Sequence, residues 1–163
     1  MNSPLVPEPK NLYRPNVGIA LYNAQGKVFV GERIDTPGAW QMPQGGIDVG
    51  EDLMVAAMRE LKEETGTDDA ELIHIHPDPI RYDLPRAVYD KFKTIWDVPY
   101  IGQEQTWIAM RFTGQDTDID ITADAHPEFT DWKWVDITET LDIIVPFKKD
   151  VYQQVINAFS HIS

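Results

Sequence analysis

Residues 45–66 read GGIDVGEDLMVAAMRELKEETG, and this stretch predicts a glycine-rich turn followed by a helix. The helix should span about residues 52–65, because apolar residues recur at helical spacing and Gly66 is a typical C-terminal stop. Near its end the helix carries three closely spaced carboxylates: Glu60, Glu63 and Glu64. Like charges three or four residues apart cost a helix about 0.2–0.5 kcal/mol per pair, and the partial negative charge of the helix C-terminus adds to this cost.

The positions of these carboxylates on the helix suggest what offsets the cost. The apolar side chains form one sector that should face the core: Leu53, Met54, Ala57, Met58 and Leu61. The glutamates lie on an adjoining arc about 100° wide, at the edge of the buried surface. Carboxylates without His or Cys suit a hard divalent cation such as Mg²⁺ or Mn²⁺, which would relieve the repulsion. A solvated acidic face is the alternative.

The composition limits the classes of function. The 163 residues suit one globular domain, and their net charge of −13 opposes binding to duplex DNA, which depends on Lys and Arg contacts to phosphate. No apolar run reaches the roughly eighteen residues of a membrane span, and MNSPLVPEPK at the start lacks the features of a secretory signal. The chain has no cysteine, which fits a reducing cytoplasm. We therefore expect a cytoplasmic protein that binds neither membranes nor duplex DNA.

The pattern of the remaining segments predicts an α/β fold. Residues 1–12 contain three prolines and are expected to form an N-terminal tail, with a single domain over residues 13–163. Strands are predicted at residues 17–23 and 27–33, which form a hairpin, and at 71–77, 80–85, 104–114 and 132–137. A final helix should begin near residue 146, whereas residues 86–101 are ambiguous. Strands interspersed with two helices are typical of layered α/β folds.

A longer motif covers the same turn and helix. Gly45, Glu51 and the segment RELKEETG at residues 59–66 stand at the spacing of the signature of the Nudix hydrolases, which this chain resembles. One departure is Thr67, where the family usually has an aliphatic residue, and it should affect only local packing. The resemblance implies a loop–helix–loop that holds divalent metal against a nucleoside diphosphate linked to another group. It also implies an α/β/α sandwich, with a mixed β-sheet between helices.

The resemblance also implies a set of metal ligands. These are four carboxylates and one main-chain carbonyl: Glu60, Glu63, Glu64, Glu128 and Gly45. Arg59 would orient Glu60, and Glu51 would tie the loop to the helix. Two or more Mg²⁺ ions, with Mn²⁺ as a substitute, would bridge the polyphosphate, while a glutamate deprotonates the attacking water. Glu63 is the favoured helix residue beside that water and Glu128 is a second candidate for the base, and the sequence does not separate their roles.

Further segments resemble one branch of the family, which includes RNA pyrophosphohydrolases and dinucleoside polyphosphate hydrolases. They are YRPNVGI (13–19), WQMPQGGI (40–47), RYDLP (81–85), IGQEQTW (101–107), PEFTDWKWV (127–135) and PFKKDVY (146–152). Phe147 offers an aromatic face and Arg33 a planar cation, a combination that can hold an unpaired base. The residues expected to contact phosphates are Arg14, Tyr82 and Lys148. Those expected to line the site are Gln103 and Gln105.

The expected activity is hydrolysis of a phosphoanhydride bond in a 5′-polyphosphorylated nucleotide. The combined motifs favour removal of pyrophosphate from the 5′ end of triphosphorylated RNA by a monomer or weak dimer. The net charge of −13, and Glu104 where a basic residue would suit RNA, favour an alternative, the cleavage of diadenosine tetraphosphate to ATP and AMP. Outside enzymes, the alternative is a non-catalytic nucleotide sensor, and retention of Arg59 and the three helix glutamates argues against it.

Overall fold

The chain folds around a mixed β-sheet with helices on both faces. The computed structural model describes residues 12–92 and 100–162. Within these residues the strands are β1 (Tyr13–Tyr22), β2 (Val28–Arg33), β3 (Trp40–Gln41), β4 (Gln44–Gly46), β5 (Ala70–Ile75), β6 (Ile80–Asp83), β7 (Gly102–Phe112) and β8 (Phe129–Val135). The α-helices are α1 (Leu53–Thr65), α2 (Arg86–Phe92), α3 (Thr140–Ile143) and α4 (Lys149–Ala158). None of the helices in the described ranges has the length and apolar character needed to cross a membrane.

Alternation of side chains along β1 and β7 divides the core into two layers. The layer that packs with α1 includes Val17, Ile19, Leu21, Ile108 and Met110. The layer that packs with α4 includes Ala20, Tyr22, Trp107 and Ala109. Because both faces of the central strands are buried, the sheet is covered by a helix on each side, as the predicted α/β/α sandwich requires.

The register of the sheet places polar residues together at the end of the sheet where the central strands β1 and β7 begin. β1 and β7 are parallel neighbours, so they begin at the same edge, with Arg14 opposite Gln103 and Asn16 opposite Gln105. β4 pairs antiparallel with β1 at this edge and places Gly46 opposite Asn16. The glycine-rich turn before α1 therefore lies beside the first residues of both central strands.

The predicted strands and helices are confirmed with small shifts in their bounds. The hairpin is formed by β1 and β2, which pair antiparallel, and the other predicted strands are β5, β6, β7 and β8. The final helix is α4, which a single turn of 3-10 helix at Pro146–Lys148 precedes. In the ambiguous region α2 occupies residues 86–92, and residues 93–99 lie outside the described ranges. The predicted tail falls almost entirely on residues 1–11, which also lie outside them.

Helix α1 begins and ends at the predicted residues. The Asp52 side chain accepts hydrogen bonds from the N–H groups of Met54 and Val55, and Gly66 ends the helix with a φ of 80°. A Cβ at residue 66 would also collide with the main chain of Asp120, so glycine is needed there for two reasons. The inward face is wider than the apolar pattern predicts, because Ala56 is fully buried. Of the three glutamates, Glu64 lies within this buried face.

Two buried tyrosines provide a matched test of the core. The Tyr22 hydroxyl has no hydrogen-bond partner among the described residues, whereas the Tyr152 hydroxyl accepts from the N–H of Met42 at 2.9 Å. We expect Tyr22→Phe to raise the free energy of unfolding by up to about 1 kcal/mol, because it removes an unsatisfied buried group. Tyr152→Phe should lower it by about 1–3 kcal/mol, because it leaves that N–H unsatisfied. Urea denaturation checks both signs, and shifts in the same direction would contradict this account.

Candidate active site

Arg59 connects the turn before α1 to the carboxylates of the helix. Its guanidinium contacts both carboxylate oxygens of Glu51, at 2.8 and 2.9 Å, and donates to the carbonyl of Gly46 at 2.9 Å. Its Nη1 donates to Glu60 Oε1 at 2.7 Å. Hydrogen bonding from Arg59, helped by the N–H of Asp48, lowers the pKa of Glu51 to about 2. These contacts supply the arrangement that the predicted roles of Arg59 and Glu51 require.

Glu60 packs directly against Gly45. A Cβ at residue 45 would fall on the Glu60 carboxylate, so only glycine permits this contact. Burial raises the pKa of Glu60 to about 7, against the opposing effect of Arg59, and the charge of Glu63 contributes to the rise. The turn and the helix therefore meet at a carboxylate whose ionised form is costly even beside Arg59.

The other two helix glutamates differ in exposure. Glu64 is only 5% exposed, and its carboxylate accepts a hydrogen bond from the N–H of Gln44 at 2.9 Å. Burial raises the pKa of Glu64 well above its usual value, and the charge of Glu60 adds to this effect. The side chain of Glu63 is 42% exposed. Glu63 is therefore the most accessible of the three.

A cavity of about 560 Å³ opens at the edge of the sheet where β1 and β7 begin. The predicted site residues that line it are Gly45, Glu60, Glu63, Glu64, Glu128, Arg14, Arg33, Tyr82, Phe147 and Lys148. Gln103 also lines the cavity, whereas Gln105 is buried and does not. Arg59 is not part of the lining and acts on it through Glu60. One cavity thus combines carboxylates suited to divalent ions with cations suited to phosphates.

The guanidinium of Arg33 is fixed by two acceptors. Its Nε and Nη2 donate to the two carboxylate oxygens of Asp35 at 2.8 and 2.7 Å, and its Nη1 donates to Gln41 Oε1 at 2.9 Å. The pairing lowers the pKa of Asp35 to about 2. Hydrogen bonds in the plane of a guanidinium do not compete with stacking on its face. The stacking of a base between Arg33 and Phe147 stays a prediction.

The residues just before α4 supply an aromatic ring and a buried cation. Phe147 is 37% exposed, and its ring centroid lies 6.1 Å from that of Tyr82. Lys148 is only 4% exposed, and its ammonium donates to Gln44 Oε1 at 3.4 Å. Burial lowers the pKa of Lys148 to about 7. An anionic ligand in the cavity would offset this cost of burying a positive charge.

The oxygen donors of the cavity fit a divalent cation. In residues 12–92 and 100–162, no group of three His, Asp or Glu side chains lies in an arrangement that could hold a metal ion as it stands. Glu60 is drawn to Arg59 instead, and Glu64 to the N–H of Gln44. The raised pKa values of both glutamates express the repulsion and burial that a cation would relieve. A set made only of carboxylates favours Mg²⁺ or Mn²⁺ over Zn²⁺.

Comparison with known proteins identifies the family. A family model described as the NUDIX domain matches residues 12–155. The chain belongs to the Nudix family. The resemblance predicted from the signature is confirmed, and this Nudix protein is a hydrolase of phosphoanhydride bonds in a family that generally uses divalent metal ions.

Relatives of this Nudix protein cover most of its length. The RNA pyrophosphohydrolase of Rhodospirillum rubrum is 52% identical over 144 residues, which are 88% of this chain and 85% of that protein. The RNA pyrophosphohydrolase of Wolbachia pipientis subsp. Culex pipiens is 48% identical over 150 residues, 92% and 91% of the two chains. The solved structure of the E. coli dihydroneopterin triphosphate pyrophosphohydrolase matches with a TM-score of 0.65 at 20% identity, over 89% of this chain and 98% of that one. This last match confirms the predicted fold.

Three residues of the Nudix site were not singled out by the sequence patterns. Asp35 and Gln41 fix the guanidinium of Arg33, and Gln44 contacts Glu64 through its N–H and Lys148 through its side chain. Asp35 lies in a loop without a motif of its own. Gln41 and Gln44 lie inside the segment WQMPQGGI, so the signal for them was present. Only the folded contacts distinguish them from their neighbours.

We expect Gly45→Ala to lower turnover roughly a hundredfold, because the new Cβ displaces the Glu60 carboxylate from its place beside the turn. Glu60→Gln should have a similar effect. The two changes should not add in the double variant, because both disable the same carboxylate. Steady-state kinetics of the three variants measure this coupling, and fully additive losses would contradict a shared cause.

We expect Glu51→Gln to lower the free energy of unfolding at pH 7, because Arg59 loses its main partner. Since the folded-state pKa of Glu51 is lowered from 4.5 to about 2, its contribution is complete above pH 4.5 and is lost as the pH falls toward 2. Urea denaturation at several pH values should therefore show the difference between wild type and variant shrinking across that window. Glu139→Gln, at an exposed residue, is the control. A difference that stays constant across the window would contradict this contribution.

Proposed function

We propose that this Nudix protein removes pyrophosphate from the 5′ end of triphosphorylated RNA, with Mg²⁺ as its cofactor. Two relatives that are 52% and 48% identical over most of the chain are RNA pyrophosphohydrolases. The observation that carries the proposal is one cavity whose lining combines five carboxylates, four cationic side chains and two aromatic rings. These groups are the ones needed to hold divalent ions, a polyphosphate and an unpaired base.

The size and charge of the protein favour recognition of an RNA end. A cavity of about 560 Å³ suits a terminal nucleotide with its phosphates, and it is too small for a duplex. The net charge of −13 opposes contact with a long stretch of phosphate backbone. Glu104 weighs less against RNA than its sequence position suggests, because Arg81 pairs with it at 3.2 Å. Binding should therefore depend on the first nucleotides and require an unpaired 5′ end.

The metal site proposed here holds two or more Mg²⁺ ions, for which Mn²⁺ can substitute. Its ligands are the side chains or main-chain carbonyl of Glu60, Glu63, Glu64, Glu128 and Gly45. When bound, the ions neutralise charge on the phosphates and lower the pKa of water. Arg59 keeps Glu60 in position, and Glu63, the most accessible helix carboxylate, takes the proton of the attacking water. Glu128 is the second candidate for this base.

The substrate contacts proposed here divide between phosphates and base. Arg14, Tyr82 and Lys148 bind phosphate oxygens, and Lys148 regains through that contact the favourable interactions that burial removes. Arg33 and Phe147 hold the base between a planar cation and an aromatic ring. The proposal further includes one domain over residues 13–163, a monomer or weak dimer, a cytoplasmic location, and no binding to duplex DNA or membranes.

A side-by-side assay with Mg²⁺ tests the proposed substrate. One sample contains short 5′-triphosphorylated RNA and the other contains diadenosine tetraphosphate, and each is repeated with excess EDTA. Pyrophosphate, or successive orthophosphates, released faster from RNA supports the proposal. Faster formation of ATP and AMP from the dinucleotide would replace it with the dinucleoside polyphosphate activity. Tight binding of either compound without any Mg²⁺-dependent product would indicate a nucleotide sensor.

We expect Glu63→Gln to lower turnover of triphosphorylated RNA by at least about a hundredfold, the loss typical when a general base is removed. The amide is isosteric and the side chain is 42% exposed, so the free energy of unfolding should change little. Glu71→Gln, at an exposed residue of β5, is the matched control and should keep wild-type turnover. Wild-type rates in Glu63→Gln would remove this residue from the mechanism.

A further inference from the structure

Gln105 lies beneath the cavity, between the site and the core. It is 1% exposed and does not line the cavity. Gln103, two residues before it on the same face of β7, does line the cavity, and Trp107, two residues after it, is fully buried. A buried amide at this position must find hydrogen-bond partners on both sides.

Trp107 determines which way the Gln105 amide points. The indole N–H can only donate, and it donates to Gln105 Oε1 at 3.0 Å. The carbonyl end of the amide is therefore directed toward the core. Its Nε2 must point in the other direction, toward the floor of the cavity.

Three amide oxygens lie within hydrogen-bond distance of Gln105 Nε2 and share its two hydrogens. They are Asn16 Oδ1 at 3.1 Å, Gln44 Oε1 at 3.1 Å and Gln103 Oε1 at 3.4 Å. Two further donors reach the same oxygens, because Lys148 donates to Gln44 Oε1 at 3.4 Å and the Tyr82 hydroxyl donates to Gln103 Oε1 at 2.7 Å. For Gln44 and Gln103, these donors and Gln105 Nε2 therefore require the same orientation of the amide.

The orientation has a consequence for an anionic ligand. Asn16, Gln44 and Gln103 all line the cavity, and each draws its oxygen toward Gln105. The nitrogen of an amide diverges from its oxygen, so the NH₂ groups of these residues point away from Gln105, and that of Gln44 also reaches the Tyr82 hydroxyl. A floor that presents N–H donors binds phosphate oxygens, whereas a floor that presents carbonyl oxygens repels them.

We propose that Gln105 is a positioning residue for substrate: held by Trp107, it turns the amides of Asn16, Gln44 and Gln103 so that their N–H groups face the phosphates. This inference rests on the proposed function, because it assumes that the cavity holds a polyphosphate. Gln105 itself does not touch the substrate. The competing explanation is that Gln105 only satisfies the buried N–H of Trp107 and contributes nothing beyond stability.

Paired variants separate the two explanations. Gln105→Met keeps a similar volume without charge and removes the donor that the three amides share, although Lys148 still contacts Gln44 and Tyr82 still contacts Gln103. It also leaves the N–H of Trp107 unsatisfied. We expect it to raise KM for triphosphorylated RNA about tenfold, as for a lost hydrogen bond to a charged group, while kcat stays within about threefold. The double variant Gln105→Met with Trp107→Phe removes the unsatisfied N–H as well. Adding Gln105→Met to Trp107→Phe should therefore cost less stability than adding it to the wild type, while KM stays raised.

A third variant reverses the polarity of the network. Gln105→Glu still accepts from Trp107 but offers an oxygen to the three amides, so they should turn their own oxygens toward the substrate. KM should then exceed that of Gln105→Met, and stability should fall further, because burying an ionised carboxylate costs more than burying a neutral side chain. Wild-type KM in Gln105→Met, or in the double variant, overturns the proposal. Absence of product from triphosphorylated RNA with wild-type protein would instead reject the proposed function.

Discussion

The bidentate ion pair between Arg59 and Glu51 is the contact on which the site depends most. Residues 47–52 form neither helix nor strand, so side chains must fix their path. The pair does this and uses the remaining guanidinium nitrogens to hold the carbonyl of Gly46 and the carboxylate of Glu60. Without Arg59, the loop, a strand carbonyl and a metal-site carboxylate would each lose a charge-assisted hydrogen bond. The side chain of Arg59 thus fixes the position of the turn relative to helix α1.

The burial of charge at the site explains why stability and activity compete there. Glu64 and Lys148 are almost completely buried, and burial moves the pKa of each toward its neutral form. An apolar pair in their place would be easier to fold. The protein instead keeps groups whose charged forms become favourable only beside a cation or an anion. The free protein is thus less stable than it would be with an apolar pair, and the proposed binding of ions and phosphates would offset this loss.

The extent to which sequence predicts the structure depends on the range of the contacts. Helix α1 was predictable to within a residue, because its cap, apolar face and stop are all local. The role of Gly45 came from the family resemblance, and only the structure shows that a Cβ there would meet Glu60. Gln44 was not singled out, and Gln105 was expected to line the cavity rather than to lie beneath it, because contacts such as Gln44 with Gln105 and with Lys148 join residues 61 and 104 positions apart. Polar networks that join distant segments leave no periodic signal in a sequence.

The residues of the cavity extend from Arg14 to Lys148, and this spacing has a consequence for the order of synthesis. The acidic helix leaves the ribosome well before Phe147 and Lys148 are made. A nascent chain can therefore expose its carboxylates while the aromatic and cationic part of the cavity does not yet exist. Helix α4 packs on the opposite face of the sheet and completes the core last. An unfinished chain thus lacks the two residues, Phe147 and Lys148, that close the cavity lining nearest the C-terminus.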